Sequence, residues 1–165
     1  MSALNALDQK AVMVLEICRA RGLRLATAES CTGGLIIGCL TGIAGSSDVV
    51  DRGFVTYSNA SKTEVLGVAP DLIVRLGSVS AEVARAMAEG ALARSNADIV
   101  VAVTGIAGPG GGSAEKPVGL VHFACTRRGA AMRPARHVFP GDRAAVRHAT
   151  VDVALDLIQA RAEPI

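Results

Sequence analysis

The spacing of apolar positions changes period several times along the chain, and each change marks an element. From Leu4 to Arg21 apolar residues such as Ala6, Val14, Leu15 and Cys18 recur at helical spacing, and the run stops at Gly22. That predicts an amphipathic helix with a glycine terminator. Residues 23–29 then read as a strand, and 32–42 as a helix beyond a turn. A Gly/Ser turn, Gly45-Ser46-Ser47-Asp48, leads into the β-rich stretch Val49 to Tyr57. Asp51-Arg52-Gly53 interrupts that stretch and predicts a bulge or bend. A short helix carrying Lys62, Glu64, Val65 and Leu66 follows, with Asn59 or Ser61 as its expected cap.

Ser80-Ala81-Glu82-Val83 resembles a capping-box start, with Glu82 one position short of the required offset, and the alanine-rich run to Arg94 is the clearest helix. Asp98 to Val103 is a short, continuously apolar run, the pattern of a strand buried on both faces. Val118–Cys125 and Arg133–Phe139 read as two strands joined through Arg127-Arg128-Gly129, and Gly141-Asp142 opens a last helix to about Ala162. Helices alternate with strands at first, and a hairpin comes near the end. The expected fold is therefore α/β: one domain, residues 1–165, as a three-layer α/β/α sandwich with a mixed β-sheet.

Composition narrows the function classes. Half of the 165 residues are apolar, and they are spread along the chain. No run approaches the roughly 20 apolar residues of a membrane span. The stretch Met1 to Asp8 lacks the basic start of a signal peptide. A cytoplasmic protein with no membrane partner is expected. The net charge of +2 is too small to mark a nucleic-acid binder. The aromatics Phe54, Tyr57, Phe123 and Phe139 form no cluster on which bases would stack. Cys18, Cys31, Cys39 and Cys125 share no metal or disulfide spacing, and Cys18 and Cys39 read as buried small hydrophobes.

Chemistry concentrates in two turns. Ala28-Glu29-Ser30-Cys31-Thr32-Gly33-Gly34 lies between a predicted strand and a predicted helix. Such a turn holds a hydroxyl at a sheet edge, beside free N–H groups of the helix's first turn. Three roles fit: helix capping by Ser30 or Thr32, anion binding by backbone amides, or nucleophilic attack by Ser30. The motif is neither a Walker A loop nor Gly-x-Ser-x-Gly, so no generic pattern chooses among them.

A serine nucleophile needs a base. His122 lies in a strand-like run, and His137 and His148 lie in the Arg-rich C-terminal part, so none has an evident place beside Ser30. Of 17 basic residues only Lys10, Lys62 and Lys116 are lysines. Arginine stays charged, whereas a desolvated lysine can be neutral, which makes Lys62 in Tyr57-Ser58-Asn59-Ala60-Ser61-Lys62 a candidate base, if it is not simply a solvated helix residue. The second turn, Thr104 to Gly112, has five glycines and one proline in nine residues directly after a buried-type strand. A flexible linker has this composition. A ligand approaching backbone at the carboxyl edge of a sheet needs it too. Among the C-terminal arginines, Arg143 at the start of the last helix is the best placed to meet an anion.

Taken with Gly45-Ser46-Ser47, Val55-Thr56-Tyr57-Ser58-Asn59 with Lys62, Thr104-Gly105-Ile106-Ala107-Gly108-Pro109 and Lys116-Pro117-Val118-Gly119, the opening motif resembles the CinA C-terminal domain family. The resemblance covers nearly the whole chain in order, in the stand-alone form without the family's N-terminal domain. Two departures are visible: Ala44 where the family often has proline, and Gly53 alone where it commonly has two glycines. Both touch loop geometry. The resemblance implies deamidation of nicotinamide mononucleotide to nicotinate mononucleotide and ammonia, a step of pyridine nucleotide salvage. It also implies a homo-oligomer, a dimer or higher, acting on a small nucleotide without nucleic acid.

The mechanism expected on this basis makes Ser30 the nucleophile and Lys62 the base. Tyr57 orients Lys62 or the ring, and Cys31, Thr32 and Gly33 hold the oxyanion. Gly34, Ser47, Thr104, Gly105, Gly108 and Arg143 bind the nucleotide. No metal or cofactor enters this scheme. The alternatives are a non-catalytic nucleotide-binding module, and a thiol hydrolase using Cys31.

Overall fold

A computed structural model describes residues 4–164; Met1, Ser2 and Ala3, part of the N-terminal stretch weighed above, and Ile165 lie outside it. Strand β1 (Leu25–Glu29) pairs in parallel with β2 (Val50–Val55) on one side and with β3 (Ile99–Gly105) on the other. Two further strands, β4 (Leu120–Arg127) and β5 (Arg133–Val138), continue the sheet antiparallel, giving the order β2-β1-β3-β4-β5. The sheet is therefore mixed, as the sequence predicts.

Side-chain alternation on the strands decides how the helices are layered. Leu25, Ile99, Val101, Val103, Val121 and Phe123 point to one face, where α1 (Ala6–Ala20), α2 (Leu35–Thr41) and α6 (Arg143–Ala162) cover them. The opposite face is lined by the smaller Ala26, Ala28, Val100, Ala102 and Ala124. Small strand residues let the alanine-rich α5 (Ala81–Ala93) approach closely, with α3 (Asn59–Leu66) and α4 (Pro70–Leu76) beside it. Lys10 joins α1 to α6 through Asp152 and Asp156, at 2.7 and 2.8 Å.

Several local expectations are met and some are corrected. Asp51 is the predicted bulge: the β1–β2 register runs from Leu25↔Val50 to Ala26↔Arg52 and skips it. Ser80 caps α5 by accepting the Val83 amide, and Asp142 caps α6 by accepting the Ala145 amide. The cap of α3 is Ser58, which accepts the Ser61 amide, rather than Asn59 or Ser61. Helix α4, introduced by Pro70, was hidden in a seven-residue run too short to show a period.

The order of connections sets the place of the site. From β1 the chain passes through α2 on one face to β2, then returns through α3, α4 and α5 on the other face to β3. The strand order thus reverses direction at β1, and in open α/β sheets ligands bind beyond the carboxyl ends of the strands at such a reversal. Ser30 is the first residue past that end.

Candidate active site

Ser30 is held by its backbone. Its amide donates to Val103 O of β3 at 3.2 Å, and its carbonyl accepts the Gly33 amide at 3.0 Å. Gly33 and Gly34 have φ of 58° and 102°, which lets the chain turn at once into α2. Thr56, just past β2, donates its amide to Glu29 O at 2.9 Å, so the β2–α3 segment is tied to the same edge. Helix α3 then folds back and brings Lys62 to Ser30.

Lys62 is among the largest fully buried side chains, 1 % exposed. Its Nζ lies 2.9 Å from Ser30 Oγ, 2.8 Å from Thr56 O and 3.3 Å from Tyr57 O. All three partners are neutral. Burial lowers the pKa of Lys62 from its ordinary 10.5, and nearby Cys31 opposes that only in part. A neutral amine has two hydrogens and one lone pair. With the hydrogens on the two carbonyls, the lone pair faces the Ser30 hydroxyl, the arrangement a general base requires. On taking a proton the ammonium keeps both carbonyls as acceptors.

The structure gathers most of the sequence-predicted residues and sets others apart. The amides of Cys31, Thr32 and Gly34 donate to no protein acceptor among the described residues. The helix amides expected to be free are not, because Glu29 takes Ile36 N and Ile37 N at 2.9 and 3.0 Å. Tyr57 contributes a carbonyl to Lys62, but its phenol, on a residue 62 % exposed, accepts from Arg143 Nη2 at 3.1 Å. Arg143 Nη1 also donates to Gly108 O at 2.9 Å, so Tyr57, Arg143 and the glycine-rich loop meet at one rim.

Ser47 is a correction. It belongs to a 3-10 turn, Ser46–Asp48, at the amino end of β2, the sheet edge opposite Ser30. That turn is fastened to α1 by Arg19, which bonds Gly45 O and Asp48. Thr104 is also corrected from ligand wall to framework. Thr104 is buried, with its hydroxyl donating to Ser78 O at 2.8 Å. At Gly105 a Cβ would stand 2.7 Å from Val121 Cγ2, so glycine is needed there for strand contact.

Two residues escaped the sequence reading. Glu29 sits inside the opening motif, and the period of two that puts Thr27 and Glu29 on one face with Leu25 was the available signal. Arg147 bonds Cys31 O and Thr32 O from α6, and nothing in the sequence near Ser30 points to it. A cavity of about 490 Å³ borders Arg143 and Arg147 of α6, lined also by Ala107, Pro109 and Val118. Among the described residues no three His, Cys, Asp or Glu side chains approach metal-binding spacing, and no helix is long and apolar enough to cross a membrane.

Cys31 shares the turn, but its chemistry is suppressed. It is 6 % exposed, and burial pushes its thiol up to about 11. A thiolate nucleophile is correspondingly scarce near neutrality. Cys31→Ala is expected to keep hydrolytic activity within about threefold of the parent. A loss of 100-fold or more in a steady-state assay would restore the thiol to the chemistry.

Fold and site together define an α/β sandwich with a serine–lysine pair at its switch point. The chain belongs to the CinA C-terminal domain family, whose model matches residues 7–162. It is 50% identical over 141 residues to the nicotinamide-nucleotide amidohydrolase PncC of Enterobacter agglomerans, covering 86% of each chain. It is 51% identical over 145 residues, 87% of its length, to a CinA-like protein of Akkermansia muciniphila. The chain spans about a third of such longer relatives, 35% in that case. The crystal structure of the competence/damage inducible protein CihA from Agrobacterium tumefaciens superposes with a TM-score of 0.95 at 49% identity, over 99% of this chain and 100% of that one.

Proposed function

We propose that this chain is a nicotinamide-nucleotide amidohydrolase, converting nicotinamide mononucleotide to nicotinate mononucleotide and ammonia through Ser30 and Lys62. The observation that carries the reading is the 2.9 Å approach of a buried lysine amine, whose partners among the described residues are all neutral, to the serine hydroxyl. The similarity to the PncC protein of Enterobacter agglomerans supplies the substrate class.

In this mechanism Ser30 Oγ attacks the carboxamide carbon while Lys62 takes its proton. Unpartnered amides of the turn receive the negative charge that develops on the carboxamide oxygen, each donor being worth roughly 2.7–4 kcal/mol. Lys62 then passes the proton to the amide nitrogen, the C–N bond breaks, and ammonia leaves a nicotinoyl ester on Ser30. Water attacks this ester, Lys62 accepts the water's proton and returns it to Ser30, and the carboxylate departs.

The negatively charged end of the substrate is assigned to Arg143. Its two partners among the described residues, Gly108 O and Tyr57 OH, are neutral, so no described carboxylate pairs with its charge at the rim of the cavity. Arg143→Gln should raise KM for the mononucleotide about 10- to 100-fold, the worth of a charge-assisted hydrogen bond, with a smaller change in kcat. Hydrolysis of free nicotinamide, where measurable, should not respond.

The deciding experiment is ammonia release from the mononucleotide, the dinucleotide and free nicotinamide under identical conditions. Turnover highest with the mononucleotide is the expected outcome. Binding of the mononucleotide without ammonia from any of the three would instead support the nucleotide-binding module.

A further inference from the structure

We propose that Glu29 and Arg147 are positioning residues that grip the Ser30 turn from its two sides and fix the backbone donors which receive the oxyanion. The proposal rests on the Ser30–Lys62 reading above, but not on the choice of nucleotide.

Glu29 is fully buried, and four donors converge on its carboxylate. Oε1 accepts from Thr32 Oγ1 at 2.7 Å and from Ile36 N at 2.9 Å; Oε2 accepts from Thr27 Oγ1 at 3.1 Å and from Ile37 N at 3.0 Å. Burying a carboxylate without such bonds would be costly, and none of the four partners is a cation. The cap position of α2 is Gly34, which has no side chain to offer. Glu29 therefore caps α2 from the strand before it. The bond to Thr32 also spans Ser30 and Cys31, so the two residues that follow the strand are bridged across their ends. With Ile36 N and Ile37 N occupied, the first turn of α2 is closed to the oxyanion.

Arg147 holds the other side. Its Nε donates to Cys31 O at 3.1 Å and its Nη2 to Thr32 O at 3.3 Å. In a trans peptide the carbonyl and the following N–H point in opposite directions. Drawing Cys31 O toward α6 therefore turns the Thr32 amide away from α6, and that amide has no protein acceptor among the described residues. Ser30 N and Gly33 N cannot serve, since Val103 O and Ser30 O already hold them. Thr32 N–H is the donor that the guanidinium orients, with Cys31 N–H beside it in sequence. A lysine at 147 would lack the rigid fork that reaches two successive carbonyls.

Arg147 also borders the cavity that Arg143 overlooks, so a direct role in binding a substrate anion is the competing assignment. The two roles separate when Ser30 is challenged with a small uncharged reagent. Diisopropyl fluorophosphate transfers its phosphoryl group to Ser30 Oγ: the O–P bond forms, the P–F bond breaks, the serine proton passes to Lys62 and fluoride leaves. Charge develops on the P=O oxygen, and no substrate anion is involved. The labelling rate is read from the mass shift, per folded molecule, in the parent, Glu29→Gln, Arg147→Lys and the milder Thr32→Val.

Glu29→Gln and Arg147→Lys should label about 10- to 100-fold more slowly, the range of a weakened oxyanion donor. Their kcat for the nucleotide should fall by a similar factor, with KM moving less than about threefold. Thr32→Val keeps the charge and both Ile amide bonds, and should slow labelling about threefold to tenfold. Parental labelling rates with only a lower melting temperature would overturn the proposal, because a merely structural role moves stability alone. A raised KM with parental labelling in Arg147→Lys would overturn the role of Arg147 in favour of anion binding. If Glu29→Gln does not fold, an unchanged rate in Thr32→Val overturns the role of Glu29. A parent protein that labels rapidly yet releases no ammonia would remove the nucleotide reading and leave these comparisons intact. A parent whose Ser30 does not label would remove the serine–lysine reading and the proposal with it.

Discussion

Ser30→Ala is expected to lower ammonia release by at least about 10⁴-fold, because loss of a nucleophile that works with its base disables the pair as a unit. The residue is 8 % exposed, and the alanine leaves the backbone bonds of the turn in place, since these run through Ser30 N and O. The melting temperature should therefore stay within a few degrees of the parent, and a mononucleotide should still bind. Calorimetric binding with parental affinity, together with the lost turnover, would separate chemistry from folding. Residual activity above about a hundredth of the parent would sink Ser30 as the nucleophile.

Substitution of Lys62 gives the second large effect, and its pH dependence is the stronger diagnostic. Lys62→Arg retains positive charge but cannot supply a neutral base, so a fall of about 10²–10⁴-fold in kcat is expected. In the parent, kcat/KM should rise with pH as Lys62 loses its proton, with the midpoint below the ordinary 10.5 because burial lowers it. Lys62→Met should abolish both the activity and that rise. Full activity in Lys62→Arg would mean that the side chain serves only as a charge.

The same shift links Lys62 to stability, with a definite sign. Between its folded pKa and 10.5 the unfolded chain binds more protons at this lysine than the folded one, so its contribution makes the parent more stable as pH rises through that window. Below the folded pKa both states are protonated and the slope vanishes. Lys62→Met lacks the term, so its melting temperature relative to the parent should fall as pH rises across the window. A difference independent of pH there would show that Lys62 titrates alike in both states.

What could be read from the chain follows from how local each feature is. Strand β3 announced itself by an unbroken apolar run, because a central strand is buried on both faces by its neighbours. Helix α5 showed in its alanines and its Ser80 cap, and the Asp51 bulge showed as polar residues breaking a β-rich stretch. Each is a property of consecutive residues. Ser47 misled because its turn matches the family motif in sequence but leads into the amino end of β2, and the end of a strand that a turn occupies is a matter of topology.

The site divides in the same way. The sequence by itself determined that a hydroxyl would stand at a strand-to-helix turn with glycines behind it, because backbone geometry there depends on adjacent residue types. It also singled out Lys62 among a few lysines. Only the tertiary structure decided that Lys62, 32 residues further along, is buried against Ser30 with two carbonyls to hold its hydrogens. Only the fold brought Arg147 across 116 residues to the Cys31 carbonyl, and only packing turned Glu29 from a residue beside the serine into the cap of α2. The physical reason is that a polar side chain takes its properties from the partners that folding packs around it: Ser30 for Lys62, the Cys31 and Thr32 carbonyls for Arg147, two hydroxyls and two helix amides for Glu29. Local sequence carries no record of which groups those will be.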